Sequence, residues 1–311
     1  ILAAFENLSA GGSTAGGEGL RLAYSLAEQN FQEDGVNRVM LLTDGDFNVG
    51  INDPERLEDF VSRKRETGIY LSVMGFGRGN YNDALMQKIA QTGNGTAAYV
   101  DTLNEARKLL SDDLTGNLFP IADDVKIQVE FNPKTVTEYR LIGYETRMLR
   151  REDFNNDKVD AGDIGAGHSV TAIYEITPVG GSPMIGENRY QKKRAKSAVN
   201  TAGNANEYGF LKIRYKQPKS NTSQLISTAI KPSDEISGTA ALTQRLRETR
   251  WATAVAAFGQ ILKGGKYTAD YSYEDVIKLA QTAKGTDEYG YRAEFITLVQ
   301  LARSAAGLPR D

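Results

Sequence analysis

No cysteine occurs anywhere in the 311 residues, and histidine occurs once. The first absence excludes disulfides, thiolate zinc sites and a cysteine nucleophile. It does not fix the compartment, because a chain without thiols suits either redox environment. The second excludes multi-histidine metal sites and leaves His168 as the one candidate for a histidine-based triad. Any metal is therefore expected on oxygen ligands. No run of about 18 apolar residues is present, so no membrane-spanning helix is expected. Charge of one sign is also lacking: 37 Lys+Arg against 40 Asp+Glu leave a net charge of −3. No overall positive field would draw such a chain onto nucleic acid or anionic lipid, and neither is expected as a partner. Neither an initiator Met nor a signal-peptide pattern opens the sequence. The opening ILAAFENL reads as the middle of a helix, and the expectation is an N-terminally truncated piece of a longer protein.

At about 150 residues per domain the length allows roughly two domains with real cores. Residues 1–119 alternate helical and strand patterns. Leu20, Ala23, Tyr24, Ala27 and Phe31 fall at helical spacing after a Gly-rich turn. VNRVMLLTD (36–44) reads as a strand buried on both faces. Asp53 and Pro54 suit the N-cap and first position of a helix with Leu57, Phe60 and Val61 inside, and Gly68 suits its end. A second buried strand (69–77), a helix (82–92), a short strand (96–100) and a helix (103–118) follow. Such alternation predicts a parallel, doubly wound, Rossmann-like α/β sheet. Three visible strands are few for it.

The period changes after Pro120. Val125, Ile127, Val129 and Phe131 alternate with Lys126, Gln128 and Glu130, predicting a strand wet on one face. Similar patterns over 135–145, 170–176, 211–216 and 222–230 predict an antiparallel, sandwich-like β-rich domain over 120–235. Residues 180–207 lack periodicity and read as a long exposed loop, including its basic QKKRAK. Helical stripes return from 236 to 311: Trp251, Val255, Phe258, Ile261 and Leu262, then Val276, Leu279 and Ala280, then Tyr291, Phe295, Leu298, Val299 and Ala302.

Two segments carry chemistry. GGSTAGGEG (11–19) leads into a helix, and LLTDGDFNVG (41–50) closes a buried strand. In open α/β sheets, ligands sit beyond the carboxyl ends of the strands, where Thr14 and Asp44 are both expected. A hydroxyl and a carboxylate are hard donors suited to Mg²⁺ or a similar cation.

These segments, with GNYNDALM, YVDTLNEARKLL, DVKIQVEFNP, YRLIGYE, DFNND, DAGDIGAGHSVTAIYEI and EYGYRAEFITLV, resemble the bacterial YfbK-like proteins. Those join a von Willebrand factor type A (VWA) domain to a C-terminal domain of unknown function. By that resemblance, residues 1–119 are the C-terminal portion of a VWA domain. Thr14 and Asp44 match two metal ligands of its metal-ion-dependent adhesion site, which takes Mg²⁺ (or Mn²⁺/Ca²⁺). The family's first motif, Asp-x-Ser-x-Ser, is not in this sequence. Two ligands, one of them neutral, bind Mg²⁺ poorly, so the ion is expected to be weakly bound or absent in this chain. The resemblance implies recognition of a protein ligand that offers a carboxylate, with no enzymatic activity, in the bacterial cell envelope. Exposed sheet edges leave self-association open.

Other readings stay open beside it. The Gly-rich loop 11–19 fits a phosphate cradle of a nucleotide or phosphate enzyme, although it lacks Gly-Lys-Ser/Thr and carries Glu18. A purely structural scaffold is the third class. DFNNDKVDAGD (153–163) has the alternating oxygens of a calcium loop, but Lys158 and Ile164 stand where an EF-hand needs Gly and Glu, so a polar hairpin loop is expected. His168 is expected to be a structural imidazole at the start of a strand. Tyr139, Tyr144 and Tyr174 read as core or cross-strand residues. Asp46, Asn48, Asn80 and Asn82 lie on loops of the same rim, as partner contacts or as plain turn residues.

Overall fold

The chain forms a parallel sheet flanked by helices, then antiparallel sheets, then C-terminal helices, the mixed α/β class that the sequence patterns predict. This is a computed structural model, which describes residues 6–7, 16–44, 53–77, 81–112, 119–144, 147–159, 161–185, 206–218, 220–236 and 243–307. Two compact units are present. The first comprises residues 1–124, 161–168 and 217–219, and the second 125–160, 169–216 and 220–311.

In the first unit, helix α1 (Gly16–Gln29) precedes strand β1 (Asn37–Thr43). Helix α2 (Pro54–Glu66), strand β2 (Ile69–Phe76), helix α3 (Asp83–Thr92), strand β3 (Ala97–Val100) and helix α4 (Leu103–Arg107) follow. A π-helical turn, Lys108–Asp112, continues α4. The strands lie in the order β1-β2-β3, parallel throughout. Asp53 caps α2 by accepting the Glu55 N–H at 3.0 Å, with Pro54 at its first turn. An unpaired N–H there would otherwise be lost to water, so this cap favours a start at that residue.

Strand β2 is the buried centre, with six of its eight residues buried on both faces of the sheet. Leu71 and Val73 pack with Leu20, Tyr24, Leu57, Val61, Met86 and Ile89 from α1, α2 and α3. Met74 faces the other way and packs with Val100 and Leu109. Strand β1 departs from the expectation of two buried faces: Val39 is buried, but Leu42 is 52% exposed. Val39 and Leu41 pack into the cluster of Leu71 and Met40 into that of Met74, while Leu42 at the strand end stays exposed, and an apolar run by itself does not say which of its residues will be covered.

Strand β4 (Pro120–Phe131) starts in the first unit, where β6 (Gly162–Gly165) lies beside it, and continues in the second. The second unit also holds β5 (Val136–Ile142), β7 (Ile173–Pro178), β8 (Gly209–Lys216) and β9 (Ser223–Ile230). There β4, β8 and β9 are neighbours in one sheet, and β5 pairs antiparallel with β7 in another. Phe131 of β4 packs against Tyr139 of β5 (4.6 Å) and Tyr174 of β7 (5.3 Å), so one ring of the first sheet touches two of the second. The expected wet face of β4 is not found at Lys126, which is 1% exposed while Ile127 is 42% exposed. The turn after the 3₁₀ segment Arg151–Asn155 covers this side, and Lys126 Nζ donates to the Asn156 carbonyl at 2.6 Å. The buried amine is tolerated because that carbonyl accepts a hydrogen bond from it.

The helices α5 (Gln244–Leu262), α6 (Tyr273–Ala283) and α7 (Tyr291–Ala306) pack around Ala254, Phe258, Val276, Ile277, Ala280 and Val299. Phe258 meets Phe295 edge-on at 5.6 Å, and Phe295 meets Trp251 at 5.2 Å. Val255, Leu262 and Leu298, expected on the inner stripes, are instead 43%, 59% and 53% exposed. The stripes are narrower than the apolar pattern, since three short helices cover only part of one another.

Phe258→Ala is expected to cost about 3–5 kcal/mol in urea unfolding, because it empties the centre of the helical core. Leu262→Ala, on the exposed flank of the same helix, is expected to stay within about 0.5 kcal/mol. Equal losses at the two positions would place the core elsewhere.

Candidate functional site

The parallel register brings the carboxyl ends of three strands level. Thr43 pairs with Gly75, Gly75 with Tyr99, and Phe76 with Val100. Asp44 therefore emerges one residue beyond β1, exposed, at the lip of the sheet. Gly77 stands next to it at the end of β2. A Cβ built on Gly77 would lie 3.8 Å from the Asp44 Cβ, and Gly77 takes φ +82, a conformation that L side chains avoid. The Gly77 carbonyl accepts a hydrogen bond from the Tyr99 hydroxyl.

A second aromatic ring closes this rim. Tyr81 lies 5.3 Å from Tyr99 and directly over Gly75, where an added Cβ would come within 2.1 Å of the ring. Only a hydrogen at that position lets the ring sit down on the sheet. The Tyr81 hydroxyl oxygen is buried and has no hydrogen-bond partner among the described residues. Burial, and then the nearby Asp83 and Tyr99, push its pKa above the usual tyrosine value. The described rim thus carries two tyrosine rings against glycine, with Asp44 just beyond β1, Asp101 just beyond β3 and Asp83 near the Tyr81 ring.

The sequence-derived candidates distribute as follows. Asp44 is on the rim. Thr14 lies outside the described residues, as do Asp46, Asn48 and Asn80. Asn82 caps α3, its side chain accepting the Leu85 N–H at 3.1 Å, which is the turn-residue role. Among the described residues no group of three or more His, Asp or Glu side chains could hold a metal ion. Mg²⁺ needs an octahedral oxygen shell with a carboxylate or two, so the described part of the rim does not by itself make a site for it.

The calcium-like loop has other work for its oxygens. Asp157 takes both oxygens to Arg214 Nη2 at 2.9 Å and one to the Ser223 hydroxyl, fastening the loop to β8 and β9. The Ser223 hydroxyl first, and then Arg214 and Lys216, hold the Asp157 carboxyl below the usual carboxylate range. His168 lies exposed in the turn after β6, its N–H on the Gly165 carbonyl, rather than at the start of β7. Tyr144 takes φ +64 and donates its hydroxyl to Thr171 O at 2.8 Å. Sequence reasoning missed Tyr81, Tyr99, Gly75 and Gly77. The available signal was the MGFG at the end of β2, where small residues follow a buried run.

The comparisons with known proteins extend beyond the rim. Residues 116–305 match the family described as "Uncharacterized protein YfbK, C-terminal". The chain belongs to this family. The match begins after β3 and runs through β4 into α7, so the YfbK C-terminal region contains the antiparallel sheets and the three helices. The uncharacterized protein YfbK of Escherichia coli (strain K12) is 47% identical over 304 residues, which are 97% of this chain and 51% of that protein. The chain therefore spans about half the length of this YfbK relative. The inter-alpha-trypsin inhibitor heavy chain H3 of Mesocricetus auratus is 27% identical over 167 residues, 51% of this chain and 19% of that protein. Among solved structures, the von Willebrand factor type A protein from Catenulispora acidiphila is similar with a TM-score of 0.42. It is 16% identical, with 95% of this chain and 64% of that chain covered.

Two measurements test the geometry. Gly75→Ala is expected to destabilise the first unit by about 1–3 kcal/mol, since the new methyl meets the Tyr81 ring. Adding Tyr81→Ala should recover part of that loss, and strictly additive costs would show that the ring does not rest on Gly75. In the second unit, the lowered pKa of Asp157 stabilises the fold above the unfolded carboxylate value of about 3.9. That contribution disappears as pH falls through the lower folded value. Thermal melts across that acid range should show a smaller pH dependence for Asp157→Asn than for the parent, and identical slopes would contradict the pairing.

Proposed function

We propose that the parallel-sheet unit is the C-terminal part of a VWA-type module, and that it recognises protein partners at its carboxyl rim without catalysing a reaction. The observation behind this reading is that Asp44 stands at the lip of the parallel sheet, beside Gly77 and on the same rim as Tyr99 and Tyr81. Strand ends in open α/β sheets are where ligands are met. Tyrosine rings beside a carboxylate suit a protein partner, since aromatic residues are enriched in protein interfaces.

The finer reading is metal-dependent adhesion. Thr14 and Asp44 would supply oxygen ligands to Mg²⁺, or to Mn²⁺ or Ca²⁺, in a longer protein of the YfbK kind that adds further carboxylates. An ion held there supplies a positive charge for a partner's carboxylate. The residues of this chain would orient that contact, with Asp44 as the charged edge and Tyr81 and Tyr99 as the apolar floor. A place in the bacterial cell envelope belongs to the same reading and rests on the resemblance to YfbK-like proteins. Among the described residues no helix is long and apolar enough to cross a membrane.

The test is calorimetric titration of Mg²⁺ and Mn²⁺ into the chain and into its Asp44→Ala variant. Binding is expected to be weak in the parent and lower by about tenfold or more without the carboxylate. Equal ion affinity in the two proteins would remove Asp44 from the ligand set.

A further inference from the structure

The four-stranded sheet ends on β9, and among the described residues no strand pairs with the outer edge of β9. An edge strand presents unpaired N–H and C=O groups, which proteins blunt with charge, proline, a bulge or short length. The other antiparallel edges use these devices. Strand β6 has four residues, and β7 carries Glu175 and ends at Pro178. Strand β5 carries Glu138 and Arg140, and its register shifts between Val136 and Glu138. Strand β9 has none of them. Its eight residues, SQLISTAI, include no charge and no proline, and its register with β8 is unbroken from Ser223–Lys216 to Ile230–Gly209.

Neither face of β9 is covered. Gln224 to Thr228 are all exposed. Leu225 and Ile226 point to opposite faces, as neighbours on a strand do, and are 60% and 54% exposed. Residues opposite one another in the register share a face, so Leu225 lies beside Arg214 and Ile226 beside Ile213. The cations on the Leu225 face are already engaged within the chain. Arg214 meets both oxygens of Asp157 at 2.9 Å, Lys216 donates to the Asp157 carbonyl at 3.1 Å, and Lys212 lies 3.9 Å from Glu130. They set no charge requirement on a strand that joins this edge.

The pattern of β9 then selects the occupant. An added strand must bring apolar side chains at two successive positions, one for each face, and no unpaired charge. Strand β9 itself meets that description. We propose that this edge is a two-fold interface between copies of this chain, with β9 pairing antiparallel to β9 of a second copy. A two-fold axis normal to the sheet keeps like faces together, so each residue stands opposite one of the same parity. The register that sets Ile226 opposite its own counterpart joins two β-branched side chains at mid-strand. In that register Gln224 stands opposite Thr228, and Leu225 stands opposite Ser227 and diagonal to its own counterpart. The two open edges close one another, so this contact makes a dimer and not a fibre. It needs neither the carboxyl rim nor a metal ion.

The test is sedimentation velocity of the full chain over a range of concentrations, with EDTA present throughout. The expected result is a monomer–dimer equilibrium with a micromolar dissociation constant. Ile226→Lys and Ile226→Glu each set like charges opposite one another and should weaken the dimer about tenfold or more. Mixing the two variants should restore association as a heterodimer. Position 226 is exposed, so both variants should fold, which their melting curves check. A parent that stays monomeric up to its solubility limit overturns the proposal and leaves the edge to a different chain. A dimer undiminished by Ile226→Lys overturns it by placing the interface on another surface. A mixture that associates no more tightly than either variant alone overturns the pairing of position 226 with itself.

Discussion

A strand with no wet face governs the first unit. Once β2 is buried on both sides, its neighbours cannot slip by one residue without moving an entire apolar set into water. The parallel register with β1 and β3 is therefore fixed. Through that register Thr43, Gly75 and Tyr99 finish at the same height. The rim is a by-product of burial: Asp44 is at the lip because Val39 and Leu71 are inside. The same constraint explains the two glycines. At the end of a buried strand the chain must leave the sheet sharply while a tyrosine ring lies on its surface, and a side chain at 75 would occupy the ring's place.

The second unit is organised differently. Its sheets meet through aromatic contacts at Phe131, and one guanidinium, that of Arg140, reaches a strand partner, a helix end and a tyrosine ring at once. Arginine suits this position because its planar fork satisfies two acceptors while its face stacks on a ring, which a lysine cannot do. A half-buried pair of this sort is worth more for the geometry it imposes than for its net energy. It ties β5, β7 and the end of α5 together.

Much of this architecture was legible in the sequence. The change of period at Pro120, the Asp53–Pro54 start of α2 and the helical stripe around Phe258 each reported a local preference strong enough to survive folding. What escaped the reading was non-local. Lys126 looks like the wet face of an amphipathic strand, and nothing in its neighbourhood announces that residues some thirty positions later will cover it. Leu42 looks buried because an apolar run does not reveal which of its residues will be covered. Asn82 offered two roles, and the structure gives it the local one as a helix cap. At the rim, Asp44 was legible because its motif is compact. Tyr81 and Tyr99 were not, because they are brought together only by register.

The enclosed ammonium of Lys126 has a practical consequence. Amine-directed reagents act on solvent-facing lysines, so Lys263 and Lys266 should react in the native chain while Lys126 stays silent. Labelling at 126 therefore registers the opening of the β4 sheet, with the exposed lysines as its internal standard. Mass mapping of lysine adducts would read it without any engineered probe.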